Sequence, residues 1–185
     1  MVKFAGKEIG EFTLTNAAKA VKANPKGDYT EVFAVHGEYG NVAHGHLDVK
    51  REGCLPDVDE IGVMAYENLL LDAIRCTGTD YLEVCAALGI DVDAVALDVV
   101  GEADIAGSLA PFGVKSRAPA GWRSITFRAT VRTNASKAAV AKAHRRVWET
   151  NLAAATLNAP VTFEVAVEPI PAKPAKLERT VRARA

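Results

Sequence analysis

The sequence predicts one domain of the α+β class, and the order of its elements is the first reason. A hairpin, a long helix, two strands, a helix and a final strand follow one another, which differs from the βαβ repeat of a nucleotide-binding parallel sheet. The second reason is composition, since 185 residues with 49% hydrophobic and 24% charged side chains suffice for one core without disulfides. We therefore expect a single fold over residues 1–168, followed by a proline-containing, basic and mobile tail over 169–185.

The amino-terminal part predicts short strands and a hairpin. Short β-like stretches come first, and an Ala/Lys segment over 16–26 then ends at the turn formers Pro25 and Gly27. Over 29–36 and 41–50, aromatic and β-branched residues alternate with polar ones. This alternation predicts an antiparallel hairpin whose turn is the segment GEYG at 37–40.

The segment 64–88 predicts the longest helix. Its apolar residues recur at three- and four-residue steps, as Leu70, Ile74, Tyr81 and Leu88 show. Gly89 predicts where the helix ends, because glycine tolerates the left-handed conformation that closes a helix.

The carboxy-terminal half predicts two strands, a helix and a last strand. Alternation indicates half-buried strands over 92–102 and 124–134. Between them, 105–122 holds three glycines and two prolines, which predicts a long loop and a candidate functional region. Ser136 is the predicted N-cap of a helix that ends near Thr150, and a short helical piece over 151–158 and a strand over 161–167 follow.

Charge and motif content exclude several classes of protein. The formal charge of −1 predicts no nucleic-acid partner and no attraction to a membrane surface. No run of about 18 apolar residues and no signal peptide is present. Three cysteines without a paired spacing, Cys54, Cys76 and Cys85, predict reduced thiols in the cytoplasm. The sequence has no Walker loop, paired CxxC or HExxH, and we predict no cofactor.

Three segments resemble the OsmC/Ohr family of thiol-dependent peroxidases. ENLLLDAIRCT at 67–77, followed by Gly89 and by VALDV at 95–99, resembles the family's central helix and next strand. ATLNAPV at 155–161 resembles the segment that leads into its last strand. The resemblance covers roughly residues 28–168, because helix, cysteine, glycine and carboxy-terminal segment agree in order.

The resemblance implies a fold and an activity. The expected fold is a two-layer α+β structure, with antiparallel sheets packed on a long central helix, in an intertwined homodimer with active sites at the subunit interface. The expected activity is reduction of organic hydroperoxides, a small-molecule substrate class, by a peroxidatic cysteine on that helix. An external thiol, often a lipoyl-linked dithiol in the family, would act as reductant.

The resemblance also implies individual roles. Cys76 is the expected peroxidatic nucleophile, and Glu67, one place after the family's glutamate, is the residue expected to orient an arginine toward it. Among the candidate arginines of this chain we prefer Arg51. Tyr66 stands ten residues before Cys76, where the family has its glutamate. The family's second cysteine falls at Asn151, and because asparagine forms no disulfide, a two-cysteine cycle built like the family's is excluded. We predict Tyr66 and Asn151 to contact substrate.

The residues around Cys76 give an independent chemical argument. A reactive thiolate needs nearby positive charge or hydrogen-bond donors. Asp72 and Asp80, at four-residue steps in a helix, work against ionisation of this thiol unless a cation intervenes. The other candidate cations, besides Arg51, are Arg75, Arg117 and Arg123. Cys85 reads as a core residue, about 13 Å along the helix from Cys76, which leaves Cys54 as the internal disulfide partner.

A histidine-rich strand offers a second constellation. Strand periodicity puts His44 and His46 on one face with Asp48 and His36, a set that suits either a metal or a polar pocket face. We predict no metal and expect His44 and His46 to contact substrate or act as a general base. His144, between Lys142 and Arg145, is expected at the surface.

Three hypotheses of function follow. The leading one is an OsmC-like peroxidase that uses Cys76 and an external thiol. The second is a repurposed enzyme of the same fold that uses Cys76 with His44 or His46 for hydrolysis or group transfer on a small molecule. The third is a non-enzymatic ligand or metal binder in which Cys76 only packs.

Overall fold

The computed structural model describes residues 3–4, 7–8, 14–40, 47–52, 60–118, 120–157 and 159–171. Side chains are described for 17–40, 66, 68–118, 120–157 and 159–171. The strands are β1 Lys3–Phe4, β2 Lys7–Glu8, β3 Thr30–Gly40, β4 Leu47–Glu52, β5 Ala94–Asp104, β6 Trp122–Arg132 and β7 Val161–Glu168. The helices are α1 Leu14–Ala23, α2 Glu60–Ala87, α3 Ile105–Ser108, α4 Lys137–Thr150 and α5 Leu152–Thr156.

The main sheet has five strands in the order β4-β3-β5-β6-β7, and β1 pairs with β2 in a separate small sheet. Neighbours in the main sheet are antiparallel except β6 and β7, which are parallel. The prediction of purely antiparallel sheets is therefore wrong at the last strand. The reason is the connection, because α4 and α5 return the chain to the end of the sheet where β6 began, and a strand that follows such a crossover runs parallel.

The hairpin formed by β3 and β4 confirms the predicted pairing but not its turn. The turn predicted at 37–40 is wrong, since β3 continues through Gly40 and pairs along its whole length with β5. Gly37 lies opposite Leu97, and Gly40 lies opposite Ala94. This ladder satisfies the backbone groups that a turn would have left to solvent, so pairing outweighs the local turn signal.

One face of the sheet forms the core. Alternate residues of β3, β5 and β6 are buried, and those between them are partly or fully exposed. α2 packs on β3 and β5, α4 packs on β7 and α2, and together they cover the apolar face, which gives two layers. The largest buried apolar side chains of the sheet are Phe33, Phe127, Leu97, Ile125, Val95, Val99 and Val131.

Two glycines let aromatic rings approach the backbone. A Cβ atom at Gly78 of α2 would lie within 2.6 Å of three ring carbons of Tyr39. A Cβ atom at Gly101 of β5 would lie 2.5 Å from the ring of Trp122. Atoms do not tolerate such short distances, so glycine is needed at both positions. Gly78 allows α2 to pack closely on β3, and Gly101 allows the Trp122 ring to lie against β5.

The predicted loop 105–122 contains short regular pieces. Asp104 caps α3, its Oδ1 accepting from the Ala106 amide at 3.0 Å. A 3₁₀ turn over Ala110–Phe112 follows, and it ends at Gly113, whose φ of 74° suits glycine. Lys22 of α1 donates to the Phe112 carbonyl at 2.7 Å, which fixes this loop against the first helix.

The caps of the carboxy-terminal helices confirm the sequence prediction. The hydroxyl of Ser136 accepts from the Ala139 amide and begins α4. Gly89, with a φ of 67°, closes α2 as its position predicts. Within the described part of the chain, no helix is long and apolar enough to cross a membrane. The expected tail lies, beyond residue 171, outside the described residues.

Candidate functional site

Cys76 lies in the middle of α2, on the side that faces away from the sheet. It is partly exposed, and Leu69 and Glu83, seven residues before and after it, are both exposed. Residues seven apart share a helix face, which places all three on one stripe. On the opposite side, Gly78 and Tyr39 seal α2 against β3. The thiol is therefore reachable from outside the core.

The charges around Cys76 are mixed. Arg75 donates to Asp72 at 3.2 Å, and both side chains are largely exposed. One turn further on, Asp80 is half-buried, and burial raises the pKa of its carboxyl, although a hydrogen bond from Asn151 opposes this. Arg75 is thus an adjacent cation that is already paired with a carboxylate.

Asn151 connects the α4–α5 junction to the turn of α2 that carries Cys76. The residue is 1% exposed, and its Nδ2 donates to Thr77 Oγ1 and to Asp80 Oδ2, each at 3.0 Å. Its Oδ1 accepts from the Ala154 amide at 2.7 Å and caps α5. Thr77 in turn donates to the Ala73 carbonyl. Both ends of the Asn151 amide are engaged in the fold, and its predicted contact with substrate stays a prediction.

The second described cysteine differs from the first. Cys85 is 1% exposed, and burial raises the pKa of its thiol. Nine residues of α2 separate it from Cys76, a rise of about 13 Å that is too long for a disulfide within one helix. Cys54 lies outside the described residues.

Tyr66 belongs to a different cluster from Cys76. Its ring stacks on Phe33 at a centroid distance of 5.4 Å and meets Trp122 edge-on at 4.9 Å. Its hydroxyl shares a 2.6 Å hydrogen bond with Ser108 of α3. Because ten residues of helix rise about 15 Å, Tyr66 and Cys76 do not form one site within a protomer.

For several predicted site residues, the structure describes only the backbone or nothing. Arg51 is described by its backbone alone, which pairs with Phe33 in the sheet. Glu67 is described only as part of the α2 backbone. His44 and His46 lie outside the described residues. Their roles stay predictions.

The outer face of the sheet carries part of the predicted histidine constellation. The backbone register pairs His36 with Asp48 on one side and with Asp98 on the other. The His36 Nδ1 and Asp98 Oδ1 atoms lie 2.7 Å apart. Among the described residues, no group of three or more histidine, cysteine or acidic side chains is arranged to hold a metal ion.

His144, which the sequence predicts at the surface, is partly buried and packs against neighbouring side chains. Its Nδ1 lies 2.5 Å from the Tyr81 hydroxyl, and its ring packs against Phe163 of β7. Burial lowers the pKa of His144, while a hydrogen bond with the Phe163 backbone raises it. Burial also raises the pKa of Tyr81, and the phenol and the imidazole share a hydrogen bond. Their separation by 63 residues left no local signal.

The comparisons with known proteins give little. No family profile and no curated protein matches the sequence. Among solved structures, the crystal structure of an OsmC-like protein from Mycoplasma pneumoniae is similar at 15% identity. The match covers 72% of this chain and 95% of that chain, with a TM-score of 0.47.

Proposed function

We propose that this protein is an OsmC-like thiol peroxidase that reduces organic hydroperoxides with Cys76 as nucleophile and an external thiol as reductant. The proposal starts from the resemblance of segments 67–77, 95–99 and 155–161 to that family. The position of Asn151 and the accessibility of Cys76 support it further.

The position of Asn151 is the observation that supports the proposal best. The resemblance places the family's second cysteine at this residue, and such a cysteine has to lie beside the first. In the fold, Asn151 contacts Thr77 and Asp80, which follow Cys76 by one residue and by one helical turn. This proximity between residues 75 positions apart in sequence supports the proposal.

The accessibility of the two described thiols also favours Cys76. Cys76 is partly exposed, whereas Cys85 is buried with a raised thiol pKa, and only an accessible thiolate attacks a peroxide. In the proposed step, the Cys76 sulfur attacks one peroxide oxygen, the O–O bond breaks, and the alcohol leaves with a proton. The sulfenic acid then condenses with an external thiol and releases water, and a second thiol frees Cys76 as a disulfide forms.

The absence of a cysteine at position 151 favours an external thiol as the partner that resolves Cys76. Cys85 is too far along α2 to pair with Cys76, and Asn151 has no sulfur. The mixed disulfide with a small thiol is then the intermediate that replaces an internal disulfide. A cation for the thiolate would come from Arg51 or Arg75, because Asp72 and Asp80 alone oppose ionisation.

A homodimer is part of the proposal, and the outward side of α2 supports it. Leu69, a large apolar side chain on the outward side of α2, is 47% exposed, and the partly exposed Cys76 lies on the same stripe. A second copy packed on the stripe of Leu69, Cys76 and Glu83 would cover it and enclose the thiol.

Peroxide consumption tests the proposal. We would measure loss of cumene hydroperoxide with dithiothreitol or dihydrolipoamide as reductant, in the wild type and in Cys76→Ser. Cys85→Ala and Cys54→Ser are the matched controls. We expect saturable consumption that is lost only in Cys76→Ser. Equal rates in all four proteins would sink the proposal, and turnover of esters or amides without peroxide would favour the non-redox enzyme.

A second experiment tests the position of Asn151 directly. In a Cys54→Ser/Cys85→Ala background, Asn151→Cys introduces one thiol beside the Cys76 turn. We expect one equivalent of hydroperoxide to produce a disulfide between this thiol and Cys76, seen by mass spectrometry after trypsin. A sulfenic acid that persists on Cys76 without a disulfide would contradict the proximity on which the proposal rests.

A further inference from the structure

A cavity of about 560 Å³ opens where the loop after α3 meets the end of α1. Its volume falls in the range of about 300–1,000 Å³ that small-molecule sites occupy. Four parts of the chain form its walls: the α1–β3 connection, the β5–α3 corner, the turn at 115–118 and the start of β6. Part of its wall belongs to the loop region 105–122 that the sequence singled out, and Cys76 is not among its described lining residues.

The charge of this cavity is its distinguishing property. Among the described lining residues, Lys115, Arg117 and Arg123 are cations and Asp104 is the one carboxylate. Asp28, next to the cavity, also attracts Arg123. Lys115 and Arg117 form no ion pair with any described residue, whereas the arginines of β6 are paired. Two cations that have no described carboxylate partner and share a concave surface attract an anion.

The third cation is fixed in place by the fold. Arg123 donates to Thr30 Oγ1 at 2.6 Å and lies 3.6 Å from Asp104 Oδ2. Asp104 is itself held by its cap on α3. A guanidinium that is already oriented loses little freedom when an anion binds, which favours affinity.

The turn that carries Lys115 and Arg117 has a local hydrogen bond. The Ser116 hydroxyl accepts from the Ala118 amide at 3.0 Å, which fixes the backbone of residues 116–118. Lys22 donates to the carbonyl of the preceding Phe112 and ties the loop to α1. The side chains of Lys115 and Arg117 are exposed and line the cavity together with Arg123.

The remaining wall is apolar or aromatic. Val21 and Pro25 line the cavity with Tyr29, whose hydroxyl donates to the Asn24 carbonyl at 2.8 Å and is thereby turned away from a ligand. Gly27 closes over this ring, since a Cβ atom there would lie 2.9 Å from it. A ligand with an apolar body and an anionic head matches both walls.

We propose that this cavity binds a small organic phosphate, with the dianionic phosphate on Lys115, Arg117 and Arg123 and the organic group on Val21, Pro25 and Tyr29. Three cations suit a dianion better than the single charge of a carboxylate, and guanidinium groups bind phosphate oxygens in pairs. The site is independent of Cys76 chemistry.

Calorimetric titration with phenyl phosphate and with inorganic phosphate tests the site in the full-length protein at low ionic strength. We expect saturable binding of both, with phenyl phosphate tighter, and no saturable binding of benzoate. Arg117→Gln should weaken binding about tenfold or more, because a charge-assisted hydrogen bond is lost. Arg145→Gln, an exposed cation on α4, is the matched control and should bind as the wild type does.

Several outcomes would overturn the site. These are the absence of saturable binding, equal weakening in Arg117→Gln and Arg145→Gln, or inorganic phosphate as tight as phenyl phosphate. Circular dichroism checks that Arg117→Gln folds, and Lys115→Gln gives a second variant with the same expectation. Binding that persists in Cys76→Ser separates this site from the proposed peroxidase.

Discussion

At the scale of single residues, Asp80 is a half-buried carboxylate one helical turn from Cys76. Burial raises the pKa of Asp80, so its charged form is disfavoured in the fold. It still lies one helical turn from the thiol, where a negative charge opposes a thiolate. Removal of this charge therefore favours both the fold and the nucleophile.

We predict that Asp80→Asn speeds alkylation of Cys76 by iodoacetamide at pH 7 about twofold, the effect of one like charge at this helical spacing. The asparagine Oδ1 still accepts from Asn151, so stability should not fall. Rates are measured with Cys54→Ser/Cys85→Ala protein, and Glu102→Gln, which removes an exposed carboxylate of β5, is the control. An unchanged rate would show that the Asp80 carboxyl does not influence the thiol.

Asn151 has the opposite role, because it stabilises the structure around the thiol. Asn151→Ala leaves the Ala154 amide without its cap and takes away the donor to Thr77 and Asp80. We expect a loss of about 2–3 kcal/mol in the free energy of unfolding, from one cap and one buried hydrogen bond. Urea denaturation measures it, with exposed Asn68→Ala as the control near zero.

Local sequence could not identify this role. The cap position of Asn151 follows from its residue type, and the resemblance placed it beside Cys76. Its bond to Thr77, 74 residues away, depends on how α4 crosses α2, and no local pattern contains that. Hydroxyls and amides satisfy one another wherever tertiary contacts bring them, which explains why Tyr81–His144 was missed as well.

At the scale of elements, the contact between α2 and β3 depends on Gly78. Gly78→Ala adds a methyl group into the ring of Tyr39, although alanine alone would favour the helix by about 1 kcal/mol. The clash outweighs propensity, and we expect a net loss of about 1–3 kcal/mol. Thermal denaturation checks it, and Gly78→Ala with Tyr39→Leu should recover most of the loss. If the stability losses of the two single substitutions simply added in the double variant, this packing would be contradicted.

His144 lies where α2, α4 and β7 meet, and we predict that it makes the stability of the fold depend on pH. Burial lowers the folded-state pKa of His144 below its unfolded value of about 6.5, so the neutral imidazole is the form that the fold favours. Stability from this residue is present above pH 6.5 and falls as the pH drops below it. We expect His144→Gln to flatten the decline of unfolding free energy between pH 7 and pH 5, while Lys142→Gln keeps it. Parallel declines in all three proteins would exclude His144 as a cause.

Strands were predictable wherever one face is buried. Alternation at Val95, Leu97 and Val99 and the Ser136 cap gave β5 and α4 within about two residues. The alternation of apolar and polar residues indicates which face of a strand is buried, but not which strand pairs with it. The parallel pairing of β7 with β6 could therefore not be predicted from this pattern. The segment 37–40 failed for the same reason, because its pairing with β5 is not local.

At the scale of the whole molecule, the proposed homodimer makes a prediction about mass. Leu69 is 47% exposed on the outward stripe of α2. We expect sedimentation equilibrium to give twice the chain mass for the wild type and a monomer for Leu69→Arg, since a buried unpaired charge is costly. Phe112→Arg, 38% exposed in the loop, is the control that should remain dimeric. A monomeric wild type would contradict the proposed dimer.

The parallel pairing of β7 has a consequence for how the protein is made. β7 completes the sheet beside β6 and brings Phe163 against Phe127 and His144, yet it is synthesised after every other strand that the structure describes. While the ribosome is still making β7, the edge of β6 is unpaired and the aromatic cluster is incomplete. The nascent chain thus holds an exposed strand edge until β7 emerges, and this is the interval in which a chaperone would protect it.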